Sequence, residues 1–457
     1  MTVVAAALVG PSAPAGSSSA PSEGVVDFDG DGYEDFAIFN QFGSVDGQRF
    51  AGYVGVVYGS ATSRKPRTQV ITQNSPGVPD RAEKNDGFGA NPVTGDLDGD
   101  GYTDLVVSTL HDVRGDDYDT SWVTVLWGGP RGLSGGTDIA VRHHGPTVTG
   151  DFDGDGHLDV ATSGTLAYGP ITRRGGAART AEITLKSREH PVDEDELEVW
   201  ETFDLEAGDV NGDGITDLLA TAWVDYDGEL VGTPFLLYLL GTPDGLARPK
   251  TVENSKGKDL RAGQALATGD LDGDGFDDVL FGDVYDSDDG HVGVVPGSAS
   301  GPDGAGATVV RPTTPGVAEP SGGADVDFGS ALALGDIDGD GDIDVAIGSP
   351  WAEVDKRKIQ GRVVVLKGDG SGRLTGKGAQ SVDRAACDLP ARRSDLFRFA
   401  SDVRLADLNA DGRAELLPVW IDDNRIRGYC VLPGTPGGPA DADPYFIDLP
   451  KPGSGAR

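Results

Sequence analysis

DLDGDGYTD, residues Asp96–Asp104, is the stretch that decides the fold, because it returns in one register along the whole chain. The other copies are DFDGDGYED (Asp27–Asp35), DFDGDGHLD (Asp151–Asp159), DVNGDGITD (Asp209–Asp217), DLDGDGFDD (Asp270–Asp278), DIDGDGDID (Asp336–Asp344) and DLNADGRAE (Asp407–Glu415). Their first positions lie 69, 55, 58, 61, 66 and 71 residues apart. A unit of that size holds about four strands of ~5–6 residues with their turns.

The flanks repeat with the loop. Five copies are preceded by glycine: Gly95, Gly150, Gly208, Gly269 and Gly335. An apolar run follows each loop: FAI, LVV, VAT, LLA, VLF, VAI and LLP. A third run comes later, as in Tyr53–Tyr58, Trp122–Trp127, Phe235–Leu240 and Arg362–Leu366, and a weaker fourth in Gln69–Thr72 and Asp138–Arg142. Tandem β-sandwiches need about 100 residues per unit, and a β-helix needs a far shorter period. The pattern predicts an all-β, seven-bladed β-propeller of four-stranded antiparallel blades with metal loops. The expected division is a signal-like segment at 1–23, a propeller over 24–450 and a tail at 451–457. Within the propeller the blades fall near 24–80, 81–146, 147–200, 201–258, 259–322, 323–393 and 394–450. Gly24-Val25-Val26 is read as the inner strand of the first blade, and Tyr445–Leu449 as the outer strand of the last.

The loop chemistry points to a hard cation. Alternate residues of a tightly coiled loop point the same way, so positions 1, 3 and 5 converge and the acid at position 9 returns beside them. Position 1 is Asp27, Asp96, Asp151, Asp209, Asp270, Asp336 or Asp407, and position 3 is Asp29, Asp98, Asp153, Asn211, Asp272, Asp338 or Asn409. Position 5 is Asp31, Asp100, Asp155, Asp213, Asp274, Asp340 or Asp411, and position 9 is Asp35, Asp104, Asp159, Asp217, Asp278, Asp344 or Glu415. An oxygen-only set with irregular geometry suits Ca²⁺ better than Mg²⁺, so up to seven Ca²⁺ are expected. The EF-hand shares this opening but needs a bidentate Glu at position 12. Here that position is Ile38, Val107, Thr162, Ala220, Phe281, Ile347 or Pro418, so the EF-hand is excluded.

Composition agrees. The 457 residues carry 75 Asp and Glu against 37 Lys and Arg, a formal net charge of −38. Such a chain repels nucleic acid and anionic membranes and attracts divalent cations. Calcium would offset part of this acidity, while Asp193–Glu198 and Asp283–Asp289 read as solvated acidic surface. The 70 Gly and 28 Pro favour many short strands joined by tight turns. Val3–Val9 followed by Ala13-Pro14-Ala15 resembles the end of a secretory signal without its basic region. It is too short to span a bilayer, so a secreted, extracellular protein with no membrane insertion is expected. Cys387 and Cys430 are either a disulfide pinning the last blade or two buried thiols.

These residues resemble the FG-GAP/VCBS repeat family, whose blades are similar to those of the integrin α-subunit propeller. Phe88-Gly89 and Phe328-Gly329 stand ahead of their loops at one interval, Ala262-Gly263 and Phe399-Ala400 are partial matches, and Gly348-Ser349-Pro350 is a closing turn. The resemblance implies that the calcium loops lie between the first and second strands of each blade, on one face of the disc. It also implies adhesion, binding or scaffolding, commonly outside the cell.

Three functions follow from these readings: a non-enzymatic binding or adhesion module for an extracellular protein or glycan, a purely structural scaffold, and a carbohydrate-active propeller (lectin or polysaccharide lyase). No HExxH or GxSxG motif supports catalysis, so no catalytic residue is assigned and calcium is expected to be structural. His143-His144 reads as blade packing and Arg114-Gly115-Asp116 as a solvated turn. Trp351, just past its turn, is the aromatic best placed to bind. A monomer is expected.

Overall fold

The computed structural model describes residues 25–452 apart from 63, 110–119, 143–144, 186–196, 227–228, 231–233, 264, 285–289, 318–326, 353–360, 390–397, 423–424 and 441–442. The signal-like segment, Arg114-Gly115-Asp116, His143-His144 and most of the two acidic stretches lie outside the described residues.

The second blade shows the pattern. Ala90–Gly95, Asp104–Thr109, Thr120–Trp127 and Ser134–Arg142 pair in sequence order, each antiparallel to the one before. The third, fifth, sixth and seventh blades repeat this four-stranded order, and no described residue is helical. In the fourth blade a short strand, Glu229–Leu230, also folds back onto Asp217–Tyr226. Its inner strand, Leu197–Gly208, begins ahead of the boundary expected at 201, because pairing continues through two irregularities as far as Tyr226.

The first blade departs from expectation. Its described strands are Phe36–Phe39, Val54–Tyr58 and Arg67–Ile71, and Val25-Val26 form no strand. Val26 nevertheless accepts the Asp35 N–H at 2.6 Å. It thus stands where Gly95 pairs with Asp104 in the second blade.

Between blades the architecture is a ring. Inner strands of successive blades touch in order from the second to the seventh. Each seam then has its own hydrophobic cluster, built from alternate residues of two blades. In the fourth blade, Leu218, Ala220, Leu237 and Leu239 pack against the third, whereas Leu219, Leu236 and Tyr238 pack against the fifth. Period-two alternation with both faces buried makes such a strand read as the unbroken run FLLYLL. The ring closes through a seventh cluster that joins Phe36, Ile38, Tyr53 and Val57 to Leu408, Leu417, Tyr429 and Ile447. Burial of this kind, at about 25 cal/mol per Å² of apolar surface, is the main force holding the disc together.

Cys387, just past the outer strand of the sixth blade, is bonded to Cys430 on the third strand of the seventh. Both lie in the core between these blades, so the disulfide staples one seam.

Candidate metal loops

Six of the loops connect the inner strand to the second strand of a blade, and the first leads from Val26 into Phe36–Phe39 at the equivalent place, so the loops sit on one face of the disc. Backbone conformation explains their glycines. Position 6 has φ between 83° and 92° in every copy, the left-handed region where a side chain is strained. Position 4 is also left-handed, and in the seventh copy Ala410 adopts φ 55° there.

Each carboxylate has a backbone task. The position-1 acid accepts the position-6 N–H at 2.8–2.9 Å in all copies. The position-5 acid accepts the position-7 N–H at 2.9–3.1 Å. The position-9 acid heads the second strand and is buried. One of its oxygens accepts the position-2 N–H at 2.8–3.2 Å. In the first six copies the other accepts the N–H of a glycine just past the third strand, at 2.7–3.1 Å. In the seventh, Glu415 Oε1 instead accepts Asn409 Nδ2 at 2.5 Å. Desolvation pushes the metal-free acids Asp35, Asp104, Asp159, Asp217 and Glu415 up to about 7, and Asp278 and Asp344 up to about 6, against the pull of these donors.

Position 3 is different. Asp29, Asp98 and Asp153 each bury one oxygen, Oδ1, that has no hydrogen-bond partner. Their Oδ2 atoms face outward onto cations: Arg67 on Asp29, Arg173 Nε on Asp98 at 2.5 Å, and Arg179 on Asp153 at 2.7 Å. Lys367 pairs with Asp338 in the same way. A buried, unpartnered carboxylate oxygen is costly unless something positive meets it. A hard cation would meet that need. Five groups could hold one, their ligand atoms all within 4.8 Å of one another: Asp27/Asp29/Asp35, Asp96/Asp98/Asp104, Asp151/Asp153/Asp159, Asp270/Asp272/Asp274 and Asp336/Asp338/Asp344. Oxygens at ~2.4 Å from a common ion cannot lie more than about 4.8 Å apart, so the spacing fits. The structure draws positions 1, 3 and 9 together in four of these groups, with position 5 further out. The fourth and seventh loops place Asn211 and Asn409 at position 3.

Two roles were not read from the repeat. The apolar residue at position 2 (Phe28, Leu97, Phe152, Val210, Leu271, Ile337 or Leu408) is buried under its loop. Position 8 joins neighbouring blades. Thr103, Thr216, Asp277 and Glu34 accept the position-1 N–H of Asp27, Asp151, Asp209 and Asp407 at 3.0, 3.2, 2.8 and 2.6 Å. The last of these spans the closing seam. The signal was a polar residue at position 8 in these copies, visible in the sequence but hidden among the other polar loop residues.

Ahead of the loops, Phe88 and Phe328 are buried in seam cores, and Gly89 and Gly329 follow them at φ 93° and 97°. A Cβ on Gly89 would come within 2.8 Å of Val54. Residues 19–58 and 328–366 match the FG-GAP repeat family. The chain carries FG-GAP repeats. Integrin alpha-PS2 of Drosophila melanogaster is 33% identical to it over 223 residues, 44% of this chain and 15% of that protein. The matched stretch spans a small part of that relative's length. Among solved structures, a family-43 β-1,3-galactosidase bound to galactodeoxynojirimycin aligns with TM-score 0.38 and 8% identity, covering 86% of this chain and 98% of that one. Rhamnogalacturonan lyase YesW aligns with TM-score 0.30 and 15% identity, covering 75% and 60%.

The face opposite the candidate metal loops carries a feature that the sequence did not flag. The loop from Asn40 to Gly52 leaves the far end of strand Phe36–Phe39 and exposes Phe42 (64%) and Phe50 (40%), ring centroids 6.2 Å apart. Phe50 is left-handed at φ 59°, and Arg49 lies 5.3 Å from its ring. Trp351, expected as the exposed aromatic, is half-buried.

Proposed function

We propose that this chain is an exported, calcium-loaded propeller acting as a non-enzymatic binding or adhesion module, with Ca²⁺ as structural clips and the ligand on the opposite face. The observation that carries this reading is the division of labour between the faces. On the loop face the position-1, position-5 and position-9 carboxylates are engaged by the backbone in every copy, and in the first three copies this leaves an unpartnered position-3 oxygen to receive an ion. Asp or Asn at position 3 with the acids at positions 1, 5 and 9 would supply the oxygens, and a bound divalent cation would neutralise their mutual repulsion. On the other face, an exposed aromatic pair held partly in left-handed backbone is what a binding surface offers and a structural face hides. The partial likeness to an integrin α-subunit supports adhesion over catalysis. The buried disulfide supports an oxidising compartment. No described helix is long and apolar enough to cross a membrane. The partner is an extracellular protein or glycan, and the propeller acts as a monomer.

The test has two arms. Elemental analysis of the purified chain should find several Ca²⁺ per molecule, with a clear fall in melting temperature in chelator. Screening glycans and matrix proteins against wild type and Phe42→Ala/Phe50→Ala should find a ligand that the variant has lost, with its melt unchanged. A metal-free protein whose melt ignores chelator sinks the calcium reading. A ligand held equally by the variant sinks the assignment of the face.

A further inference from the structure

We infer that the seven loops are unequal, and that the fifth depends on calcium for its shape while the other six carry their own substitute donor. The inference rests on the calcium reading above and concerns only what this chain supplies around position 3.

In the first, second, third and sixth loops a cation meets the position-3 carboxylate: Arg67 and Arg179 come from outer strands, Arg173 from the next blade, and Lys367 from just past the third strand of its own blade. Aromatic faces seat these cations. The Arg67 guanidinium lies 3.4 Å from the Tyr58 ring centroid, and that of Arg179 lies 3.3 Å from Tyr168. Each is a cross-strand pair in register, and stacking of this kind holds a guanidinium against solvent. In the fourth and seventh loops position 3 is a neutral amide. Asn409 donates to Glu415 at 2.5 Å, and Asn211 lies 3.5 Å from Asp217.

The fifth loop has neither device. Asp270, Asp272, Asp274 and Asp278 are all carboxylates, and among the described residues only backbone N–H groups donate to them. Asp272 is exposed, unlike position 3 in every other copy. The cross-strand register explains the difference. Val295 pairs with Val279 as Val57 pairs with Phe36, and Val294 pairs with Thr308, which sets Pro296 and Gly306 where the first blade has Tyr58 and Arg67. Neither of these two positions supplies an aromatic seat or a cation, and among the described residues no ion pair reaches Asp272.

Without a metal, the like charges of the fifth loop repel one another with only backbone N–H groups to offset them. A braced loop keeps its shape, because its guanidinium or ammonium occupies the outer side of the same carboxylate whose inner oxygen would meet the ion. Orientation of a ligand by such an outer partner is a recognised determinant of metal sites.

The experiment is hydrogen–deuterium exchange of the full chain with calcium and with chelator, with calcium content measured on the same samples. Peptides covering residues 265–283 should lose far more protection on chelation than those covering 90–109, 147–162 or 331–349. Arg179→Gln should give the third loop the same behaviour. Its side chain is 54% exposed, so folding is preserved. Loss of one ~4 Å ion pair in a water-like dielectric corresponds to roughly fivefold faster exchange in chelator. If calcium is bound and all seven loops respond alike, or Arg179→Gln leaves the third loop unchanged, the inequality is overturned while the calcium reading stands. If no calcium is bound in either condition, both are overturned together.

Discussion

Asp104→Ala separates the two possible jobs of the position-9 acid. Asp104 is fully buried and accepts N–H groups from Leu97 at 3.0 Å and Gly128 at 2.8 Å. Alanine leaves both donors without a partner inside the blade. At about 1–3 kcal/mol for each unsatisfied buried donor, the loss is about 2–6 kcal/mol. For roughly 400 ordered residues at ~2.1 cal/mol/K each, the unfolding entropy is ~0.8 kcal/mol/K, so the melt should fall by roughly 2–7 °C. The assay is calorimetry of wild type and variant in calcium and in chelator. Because the bonds come from the chain's own backbone, the loss must persist in chelator, and in calcium the loss of a ligand adds to it. Asp100→Ala is the control, since Asp100 accepts one backbone N–H, from Tyr102 at 3.1 Å, and pairs with Arg173 at 2.5 Å in an exposed setting where an ion pair contributes little. It should cost little in chelator. Superimposable melts of Asp104→Ala and wild type in chelator would refute the reasoning, for position 9 would then act through the metal alone.

Three further outcomes follow from the seams and the loops. Replacing both Cys387 and Cys430 by alanine removes a cross-link over a separation of 43 residues, which in the chain-entropy account costs about 4 kcal/mol; guanidinium unfolding should show the lowered midpoint. In chelator, Glu34 titrates near 7 instead of 4.5 because burial penalises its charge, and Asp35, Asp104, Asp159 and Asp217 rise likewise from 3.8. The fold then holds protons that the unfolded chain has lost, so metal-free stability is fully present below about pH 4 and declines as pH rises toward 7; calcium, which favours the ionised acids, should flatten or reverse that slope in melts taken across pH. Glu34→Gln keeps an acceptor for the Asp407 N–H without a charge, and should shrink the decline while leaving the low-pH melt in place.

The blade count, the strand order and the face that carries the loops were legible because each has a local cause. Seven acidic phrases in one register announce seven hairpins, and continuous apolar runs such as Phe235–Leu240 announce strands buried on both faces. Spacing alone nominated the loop carboxylates, and the left-handed glycines at position 6 of every copy and position 4 of six coil the segment that carries them. What escaped depends on neighbours distant in sequence. Thr103 and Glu34 look like ordinary loop residues until the ring sets them against Asp27 and Asp407. Arg173 reads as surface charge until the adjacent blade presents Asp98. Phe42 and Phe50 escaped because nothing local in the sequence says that their loop turns outward.

The closing seam has a temporal consequence. Each blade is a contiguous stretch, so six of the seams can form as soon as the next sixty or so residues have been synthesised. The seventh brings Glu34 to Asp407 across 373 residues. By the logarithmic law of loop closure, that ordering costs about 1.6 kcal/mol more than a nearest-neighbour seam. Until it forms, the first blade leaves one flank bare, with Phe36 and Tyr53 awaiting the edge of Tyr429 and Leu408. The nascent chain is therefore an open crescent with one sticky flank, and the moment of greatest exposure to chaperones, or to another crescent, falls just before the seventh blade arrives.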